Sequence, residues 1–296
     1  MNARGLSAII TIAKYFDEGE LLRIMNSTNG IITVFAGSAS RPFAQKMCDY
    51  LGVELGKSTT HIFSEGGIYV RADESIRNKD VYIVQAIGKD PNNAFTELIF
   101  WIDAFKRASA NSITAIIPYF GYAKADKKDE PRVSIRARVC ADCIEMCGAD
   151  RVVTMDLHAA QVQGFFSKPV DHLYASALLC EYARHLGIVN ENLVVVSPDA
   201  GSAKRARAYA NILGCNVAIG DKVRIGHDEN PNALEIIGDV KGKTCMVVDD
   251  FTISGNTLCK VAYGLMDKGA KEIYAFLSHA IVKEDAVKRI EECHHR

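Results

Sequence analysis

The sequence lacks any apolar run that approaches the ~18 residues of a membrane-spanning helix. The apolar stretch Ala8–Ala13 is too short for a secretory signal, and no cleavage site follows it. A formal net charge of −1 gives no general attraction to nucleic acid or to acidic membranes. The nine cysteines are irregularly spaced, which favours reduced thiols over a disulfide framework. These absences predict a cytoplasmic protein with neither a membrane nor a nucleic acid as its partner.

The length and composition predict an ordinary globular chain of two domains. At the usual size of about 150 residues per domain, 296 residues correspond to about two domains. Hydrophobic residues make up 48% of the chain and charged residues 24%, which is typical of globular proteins. A boundary near residue 150 would divide the chain into comparable domains, residues 1–150 and 151–296.

Short β-branched runs alternate with longer helical patterns along the whole chain. This alternation predicts βαβ units and parallel sheets that helices cover on both faces. The predicted strands are Ile31–Phe35, Val81–Gln85, Ser112–Ile117, Arg151–Met155, Leu193–Ser197, Cys215–Ile219, Cys245–Val248 and Glu272–Leu277. Ligands of such sheets bind beyond the carboxyl ends of the strands, so the residues that follow each strand are the candidate site.

The segments that follow several of these strands are unusually polar. They supply carboxylates, an imidazole, cations and a charged stretch, namely Asp156, His158, Asp199, Lys222, Arg224 and residues 119–138. Oxygen and imidazole groups can hold Mg²⁺, and cations together with helix N-termini bind phosphate. The combination therefore predicts a site for a metal–polyphosphate ligand.

The segment VVDDFTISGNTL, residues 247–258, places Asp249 and Asp250 side by side after an apolar strand. Two adjacent buried carboxylates repel each other and lose hydration, so a cation or a set of hydroxyls should offset that cost. The turn Ser254–Thr257 precedes a helical pattern, where backbone N–H groups can point at an anion. We interpret the aspartates as acceptors for the hydroxyls of a sugar whose phosphate lies in the turn.

Several long segments resemble the ribose-phosphate pyrophosphokinase (phosphoribosyl pyrophosphate synthase) family. They are VFAGSASRPFAQKM, FSEGG, AIIPYFGYAKADKKDEPRVSIRARV, TMDLHAAQVQGFF, VVVSPDAGSAKRARAYA, IGDKVR and IIGDVKGKTCMVVDDFTISGNTL. The resemblance implies an α/β fold of two phosphoribosyltransferase-like domains, each a mainly parallel sheet flanked by helices. It also implies transfer of pyrophosphate from Mg-ATP to the anomeric hydroxyl of ribose 5-phosphate, with release of AMP. Mg²⁺ as cofactor and a homo-oligomer, either a dimer or a hexamer, follow from the same resemblance.

The resemblance assigns a role to each candidate residue. The catalytic positions are Lys222, Arg224 and Asp250, and the magnesium-linked positions are His158 and Asp199. The ribose phosphate positions are Asp249, Asp250, Ser254, Gly255, Asn256 and Thr257. The nucleotide positions are Phe63, Glu65, Lys124 and Asp126; the first two would reach ATP from an adjoining subunit, and residues 123–137 match a loop that closes over ATP.

The sequence also departs from the family pattern. An acid is usual at Gly67, Arg-Gln at Lys124-Ala125, an acid at Ile253, and Gly or Ala at Asn256. The chain ends soon after LSHAI, where the family continues, so we expect a natural shortening or a truncation that opens space beside the ribose phosphate loop. Loss of an acid at Ile253 relieves repulsion, and Asn256 adds a donor amide. Both changes suit a larger acceptor such as ADP-ribose.

Two other functions stay open from the sequence. The departures at Gly67, Lys124 and Ile253 are compatible with a non-catalytic regulatory homologue, although His158 and Lys222 are intact. A nucleobase phosphoribosyltransferase would consume phosphoribosyl pyrophosphate rather than make it, and it would not need the charged segment at 119–138.

Overall fold

The computed structural model describes residues 32–222 and 234–294. The chain forms two compact units, unit 1 (Met1–Tyr174) and unit 2 (Ala175–Arg296). The two units divide at 174/175, whereas the domain boundary was predicted near residue 150. Two further strands complete the first sheet after residue 150, and this hydrogen bonding keeps residues 151–174 with unit 1.

Unit 1 is built on a five-stranded parallel sheet. The strands of unit 1, in the sheet and in a separate hairpin, are β1 (Ile32–Ala36), β2 (Ser58–Ile62), β3 (Ile68–Ala72), β4 (Asp80–Val84), β5 (Ser112–Ile117), β6 (Arg151–Met155) and β7 (Val170–Leu173). Its helices are α1 (Arg41–Leu51), α2 (Pro91–Arg107) and α3 (Arg136–Cys147), with 3-10 turns at Gly121–Lys124 and Ala160–Phe165. The sheet order is β1-β4-β5-β6-β7, and every pairing is parallel. Strands β2 and β3 form a separate antiparallel hairpin.

Apolar residues of β1 alternate between the two faces of this sheet. Val34 belongs to the core that includes α1, whereas Phe35 belongs to the core that includes α2. Helix α2 begins at Pro91, where the fixed proline φ suits a first helical position, and Asp90 accepts a hydrogen bond from Asn93 N–H at 3.4 Å. Its buried face packs Trp101 and Phe105 against Phe35, with ring centroids 4.9 to 6.1 Å apart.

Helix α2 also carries a buried carboxylate, Glu97, which is 2% exposed. Its oxygens accept hydrogen bonds from Ser38 N at 2.9 Å, Gln85 Nε2 at 2.9 Å and Trp101 Nε1 at 3.3 Å. The hydroxyl of Thr60, on strand β2, lies 3.4 Å from the same carboxylate. Because buried polar groups need such partners, Glu97 links the hairpin to the end of the parallel sheet.

Unit 2 is built on a second five-stranded sheet. Its strands are β8 (Leu193–Ser197), β9 (Asn216–Lys222), β10 (Leu234–Ile237), β11 (Thr244–Thr252) and β12 (Glu272–Ala280). Its helices are α4 (Ser176–His185), α5 (Ala203–Leu213), α6 (Asn256–Asp267) and α7 (Glu284–His294). The order is β10-β9-β8-β11-β12, in which only β10 is antiparallel to its neighbour.

The parallel part of this sheet places the carboxyl ends of β8, β9 and β11 at one edge. Helix α6 packs Leu258, Val261 and Leu265 against Val194 and Val247, so the apolar strands are buried and their polar ends face outward. Both units therefore have the predicted parallel α/β architecture.

No helix in the described ranges is both long enough and apolar enough to cross a membrane.

Candidate active site

The two aspartates lie inside strand β11, not beyond its end. The strand was predicted to stop at Val248, but it continues to Thr252 and pairs with β12 as far as Ala280. Asp250 is 2% exposed, and the Asp249 side chain is 16% exposed. The paired carboxylates are therefore held on a rigid strand rather than on a loop.

Arg205, on helix α5, supplies a cation to both carboxylates. Its Nη1 lies 3.2 Å from Asp249 Oδ1, and its Nη2 lies 3.2 Å from Asp250 Oδ2. A cation or a set of hydroxyls was predicted here, but Arg205 was not identified. The sequence AKRARAYA could have indicated it, because a basic residue in the first turn of α5, the helix that follows β8, faces the neighbouring strand β11.

Arg205 offsets the burial of the aspartates only in part. Burial, and next the hydrogen bond and charge of Asp250, raise the pKa of Asp249 from 3.8 to about 7, whereas Arg205 acts to lower it. A buried carboxyl with too little positive charge around it keeps its proton more tightly. The pair can therefore gain further from a ligand that brings hydroxyl donors or positive charge.

The loop after β11 makes a tight turn into helix α6. Gly255 has a φ of 72°, in the left-handed region that glycine tolerates best. Its N–H donates to Thr252 Oγ1 at 3.2 Å, and Asn256 N–H lies 3.4 Å from Ser254 Oγ. The first turn of α6 contains no acidic residue, so the positive end of its dipole is available to an anion.

Helix α7 covers one side of this loop. The Arg289 guanidinium donates to the Ser254 carbonyl oxygen at 2.5 Å. A Cβ on Gly255 would lie 2.9 Å from Ile290 Cγ1, so no larger residue fits there unless the helix moves. The expectation of open space beside the loop is therefore wrong on this side.

Asp199 lies in the connection between β8 and α5. Its Oδ1 accepts a hydrogen bond from Ser202 N–H at 2.8 Å, and Ser197 Oγ donates to its carbonyl oxygen at 2.7 Å. The Ser202 hydroxyl lies 3.5 Å from Asp249 Oδ1, so the segment after β8 contacts strand β11. Of the predicted catalytic cations, Lys222 is the last residue of β9, and Arg224 lies outside the described residues.

His158, in unit 1, follows a strained turn at the end of β6. Asp156 has a φ of 39°, which is unfavourable for a residue with a side chain. Leu157 N–H donates to His172 Nε2 at 2.9 Å, so a histidine on β7 holds the turn in place. His158 itself is exposed. His172 was not among the predicted site residues.

The four predicted nucleotide residues also lie in unit 1. Phe63 sits in the tight hairpin turn, is 45% exposed and packs edge-on against the rings of His61 and Tyr69. The adjacent Glu65 is exposed. Lys124 is exposed at the end of a 3-10 turn, and Asp126 Oδ2 accepts a hydrogen bond from Gln161 Nε2 at 2.8 Å.

The predicted donor groups would bind Mg²⁺ only together with the phosphates of a substrate. Across residues 32–222 and 234–294, no three His, Cys, Asp or Glu side chains form a group that could hold a metal ion. Mg²⁺ commonly binds through one or two carboxylates, with water and substrate phosphates completing its shell. Asp199 and His158 each carry a donor group of the kind that can bind such a metal–phosphate complex, and their role as magnesium residues stays a prediction.

Comparison with known proteins identifies the family. A model described as the N-terminal domain of ribose phosphate pyrophosphokinase matches residues 32–148, and a phosphoribosyl transferase domain matches residues 175–291. Ribose-phosphate pyrophosphokinase 2, chloroplastic, of Arabidopsis thaliana is 42% identical over 281 residues, which cover 95% of this chain and 70% of the relative. The chain belongs to the ribose-phosphate pyrophosphokinase family. It is therefore an enzyme of the pyrophosphokinase type.

Bacterial members of the family are equally similar. The ribose-phosphate pyrophosphokinase of Agrobacterium fabrum is 44% identical over 257 residues, which cover 87% of this chain and 82% of that one. The crystal structure of phosphoribosylpyrophosphate synthetase from Mycobacterium smegmatis has a TM-score of 0.83 and 39% identity, covering 88% of this chain and 85% of that one. The predicted family and its fold of two phosphoribosyltransferase-like domains are thus confirmed.

Proposed function

We propose that this protein transfers pyrophosphate from Mg-ATP to the anomeric hydroxyl of ribose 5-phosphate, giving phosphoribosyl pyrophosphate and AMP. The observation that carries the proposal is the buried pair Asp249–Asp250 with its bridging cation, Arg205. The pair is followed by a loop at the N-terminus of helix α6, a position that favours phosphate binding. The chain also belongs to the pyrophosphokinase family.

The acceptor would bind at the end of β11. Vicinal ribose hydroxyls donate hydrogen bonds to Asp249 and Asp250. These bonds would stabilise the ionised form of Asp249, which burial and Asp250 disfavour. The 5-phosphate accepts hydrogen bonds from the loop Ser254–Thr257, where the α6 dipole favours negative charge. Fixing both ends of the sugar orients its anomeric hydroxyl for attack.

The donor nucleotide would be held by residues of unit 1. Phe63 offers an exposed aromatic surface for adenine, and Glu65, Lys124 and Asp126 would provide polar contacts. The exposed hairpin residues Ile62 and Phe63, 61% and 45% exposed, are compatible with contact to another copy in a homo-oligomer. Light scattering would measure that oligomer directly, and a monomer at working concentration would contradict it.

Charge on the transferring group would be stabilised by Lys222 and Arg224, and Asp250 would align the attacking hydroxyl. His158 and Asp199 would hold Mg²⁺ together with the phosphates of ATP. When bound, Mg²⁺ would neutralise negative charge on the phosphate oxygens and so favour attack of the hydroxyl on phosphorus. Closure of residues 123–137 over ATP would exclude water and limit hydrolysis.

The deciding experiment follows the products. The purified protein is incubated with Mg-ATP and ribose 5-phosphate, and AMP and phosphoribosyl pyrophosphate are resolved by mass. We expect both products in equal amounts. AMP that forms only when an active homologue is added would support the regulatory alternative. Consumption of phosphoribosyl pyrophosphate with a nucleobase would instead indicate a phosphoribosyltransferase.

A second candidate acceptor is a ribosyl 5-diphosphate such as ADP-ribose. Two observations at the loop favour it. Ile253 stands where an acid is usual in the family and is 41% exposed, so its side chain adds no negative charge that would repel a second phosphate. Arg289 places a cation at the Ser254 carbonyl. An arginine can bind a phosphate through two parallel hydrogen bonds.

Competition between the two acceptors tests this candidate. Equal ribose 5-phosphate and ADP-ribose are supplied with Mg-ATP, and the products are resolved by mass. If ADP-ribose is an acceptor, Ile253→Asp should shift the preference toward ribose 5-phosphate by restoring the repulsion. Ile237→Asp is the matched control, because Ile237 is 54% exposed on β10, away from the loop. Pyrophosphate on ribose 5-phosphate alone excludes the second candidate.

A further inference from the structure

Two cysteines meet where helix α7 packs against helix α6. Cys259, in the first turn of α6, donates through Sγ to the Arg289 carbonyl oxygen at 3.7 Å. Cys293, near the end of α7, lies with Sγ 4.0 Å from the Cys259 carbonyl oxygen. Each thiol is thus directed at the backbone of the opposite helix, and the two helices are in contact along this line.

The two thiols also interact with each other. Burial first, and then the charge and hydrogen bonding of Cys293, raise the pKa of Cys259 to about 11. Cys259 is 6% exposed, whereas Cys293 is half-buried and can be reached from solvent. The pair therefore combines an accessible thiol with a buried one beside it, so a mixed disulfide formed on Cys293 would have a second thiol nearby.

We propose that Cys259 and Cys293 form a dithiol site that a small-molecule disulfide, of the class of oxidised glutathione, converts to an intramolecular disulfide. In the first step the Cys293 thiolate attacks one sulfur of the small disulfide, forms a mixed disulfide and expels a thiolate. In the second step the Cys259 thiolate attacks Cys293 Sγ and expels the second small thiolate. The two cysteine protons end on the two released thiols, and the small disulfide is reduced by two electrons.

The bond would clamp helix α7 onto the ribose phosphate loop. Four residues before Cys293, Arg289 binds the Ser254 carbonyl, and the next residue, Ile290, packs on Gly255. On the other side, Cys259 N–H donates to the Gly255 carbonyl oxygen at 3.0 Å. A crosslink between α6 and α7 would therefore restrict the loop, because both helices contact it. This consequence for acceptor binding rests on the proposed function, whereas the disulfide itself does not.

Peptide mapping of the full chain tests the site. The protein is treated with oxidised glutathione, blocked with an alkylating reagent and digested without reduction. We expect one crosslinked species joining the peptides of Cys259 and Cys293, and its loss after dithiothreitol. Cys293→Ser and Cys259→Ala should each abolish it. Cys143→Ser is the matched control, since Cys143 is half-buried on a helix of unit 1, and this variant should keep the crosslink.

Two results would overturn the proposal. One is wild-type protein in which Cys293 carries glutathione while Cys259 stays free. The other is a crosslink that Cys293→Ser does not remove.

Hydrogen exchange measures the clamp without any assay of activity. Exchange of the α7 backbone amides should slow by about tenfold on oxidation, since the crosslink limits local opening of the helix. The same treatment should leave exchange in Cys293→Ser unchanged. The KM for ribose 5-phosphate should also change on oxidation in wild type and not in this variant. If the protein makes no phosphoribosyl pyrophosphate, the peptide map and the exchange rates still decide the disulfide; equal α7 exchange before and after oxidation refutes the clamp.

Discussion

Asp249→Asn should make the protein more stable at neutral and alkaline pH. The wild-type carboxyl is buried beside Asp250, and these surroundings raise its pKa from 3.8 to about 7. Asparagine keeps an Oδ1 in the place that accepts Asp250 N–H at 2.9 Å, but it cannot ionise. The variant therefore removes the buried charge and retains the shape and the main hydrogen bond.

The magnitude follows from the two pKa values of Asp249. In the unfolded chain this carboxyl loses its proton near 3.8, whereas in the folded protein it keeps the proton up to about 7. Between these values the folded state binds one more proton than the unfolded state, so the free energy of unfolding falls as pH rises. From about pH 5 to about pH 8, the loss of unfolding free energy assigned to this group is about 2–3 kcal/mol.

Urea unfolding of wild type and Asp249→Asn at these two pH values measures how far the free energy of unfolding falls between them. The variant should lose about 2–3 kcal/mol less than wild type over this interval. The control is Asp103→Asn, which breaks an exposed ion pair with Arg107 that is worth at most about 1 kcal/mol. This control should follow the wild-type pH dependence. Equal pH dependence in Asp249→Asn and wild type would show that the pKa of Asp249 is not raised, and the reasoning would fail.

Four other substitutions test the site and the fold. His158→Ala and Asp199→Ala should each lower turnover by about 100-fold at saturating Mg²⁺ without altering the unfolding curve; near-wild-type rates in both would remove them from the metal site. Lys222→Ala should lower kcat far more than it changes the KM for ATP, because its charge would act on the transferring group; a change in KM alone would make it a binding residue. Gly37→Ala should destabilise the protein by about 1–3 kcal/mol, since the new Cβ would lie 2.3 Å from a buried glutamine oxygen. Gly164→Ala, with nothing within 4 Å, is its control, and equal unfolding midpoints would contradict the clash.

The parallel strands could be predicted because their sequences are continuous β-branched runs. Each predicted strand overlaps a strand of the structure. The hairpin β2–β3 was missed, since STTHI is short, polar and largely exposed, and it resembles a loop. Strand β7 was missed for a similar reason, because VDHL is only half-buried throughout.

Candidate site residues could be predicted from the sequence only where they lie just after an apolar run. Asp199 follows β8, and Asp249 follows the apolar run of β11, although the strand itself continues to Thr252. Arg205 contacts Asp249 across 44 residues of sequence, and no local pattern reports such a pairing. His172 holds the turn before His158 from a strand that had not been recognised. Family resemblance supplied the roles of Lys222 and Arg224, which the described residues leave as predictions.

Strand β11 continues through both aspartates, whereas Ile253 lies beyond it on an exposed loop. Substitution at Asp249 or Asp250 consequently alters a sheet and a buried ion pair, whereas Ile253 is 41% exposed. Substitutions at these two kinds of position should therefore differ in how far they disturb the fold. Libraries that randomise Ile253 and keep the two aspartates should yield mostly folded variants, so acceptor preference can be selected in vitro without loss of the scaffold.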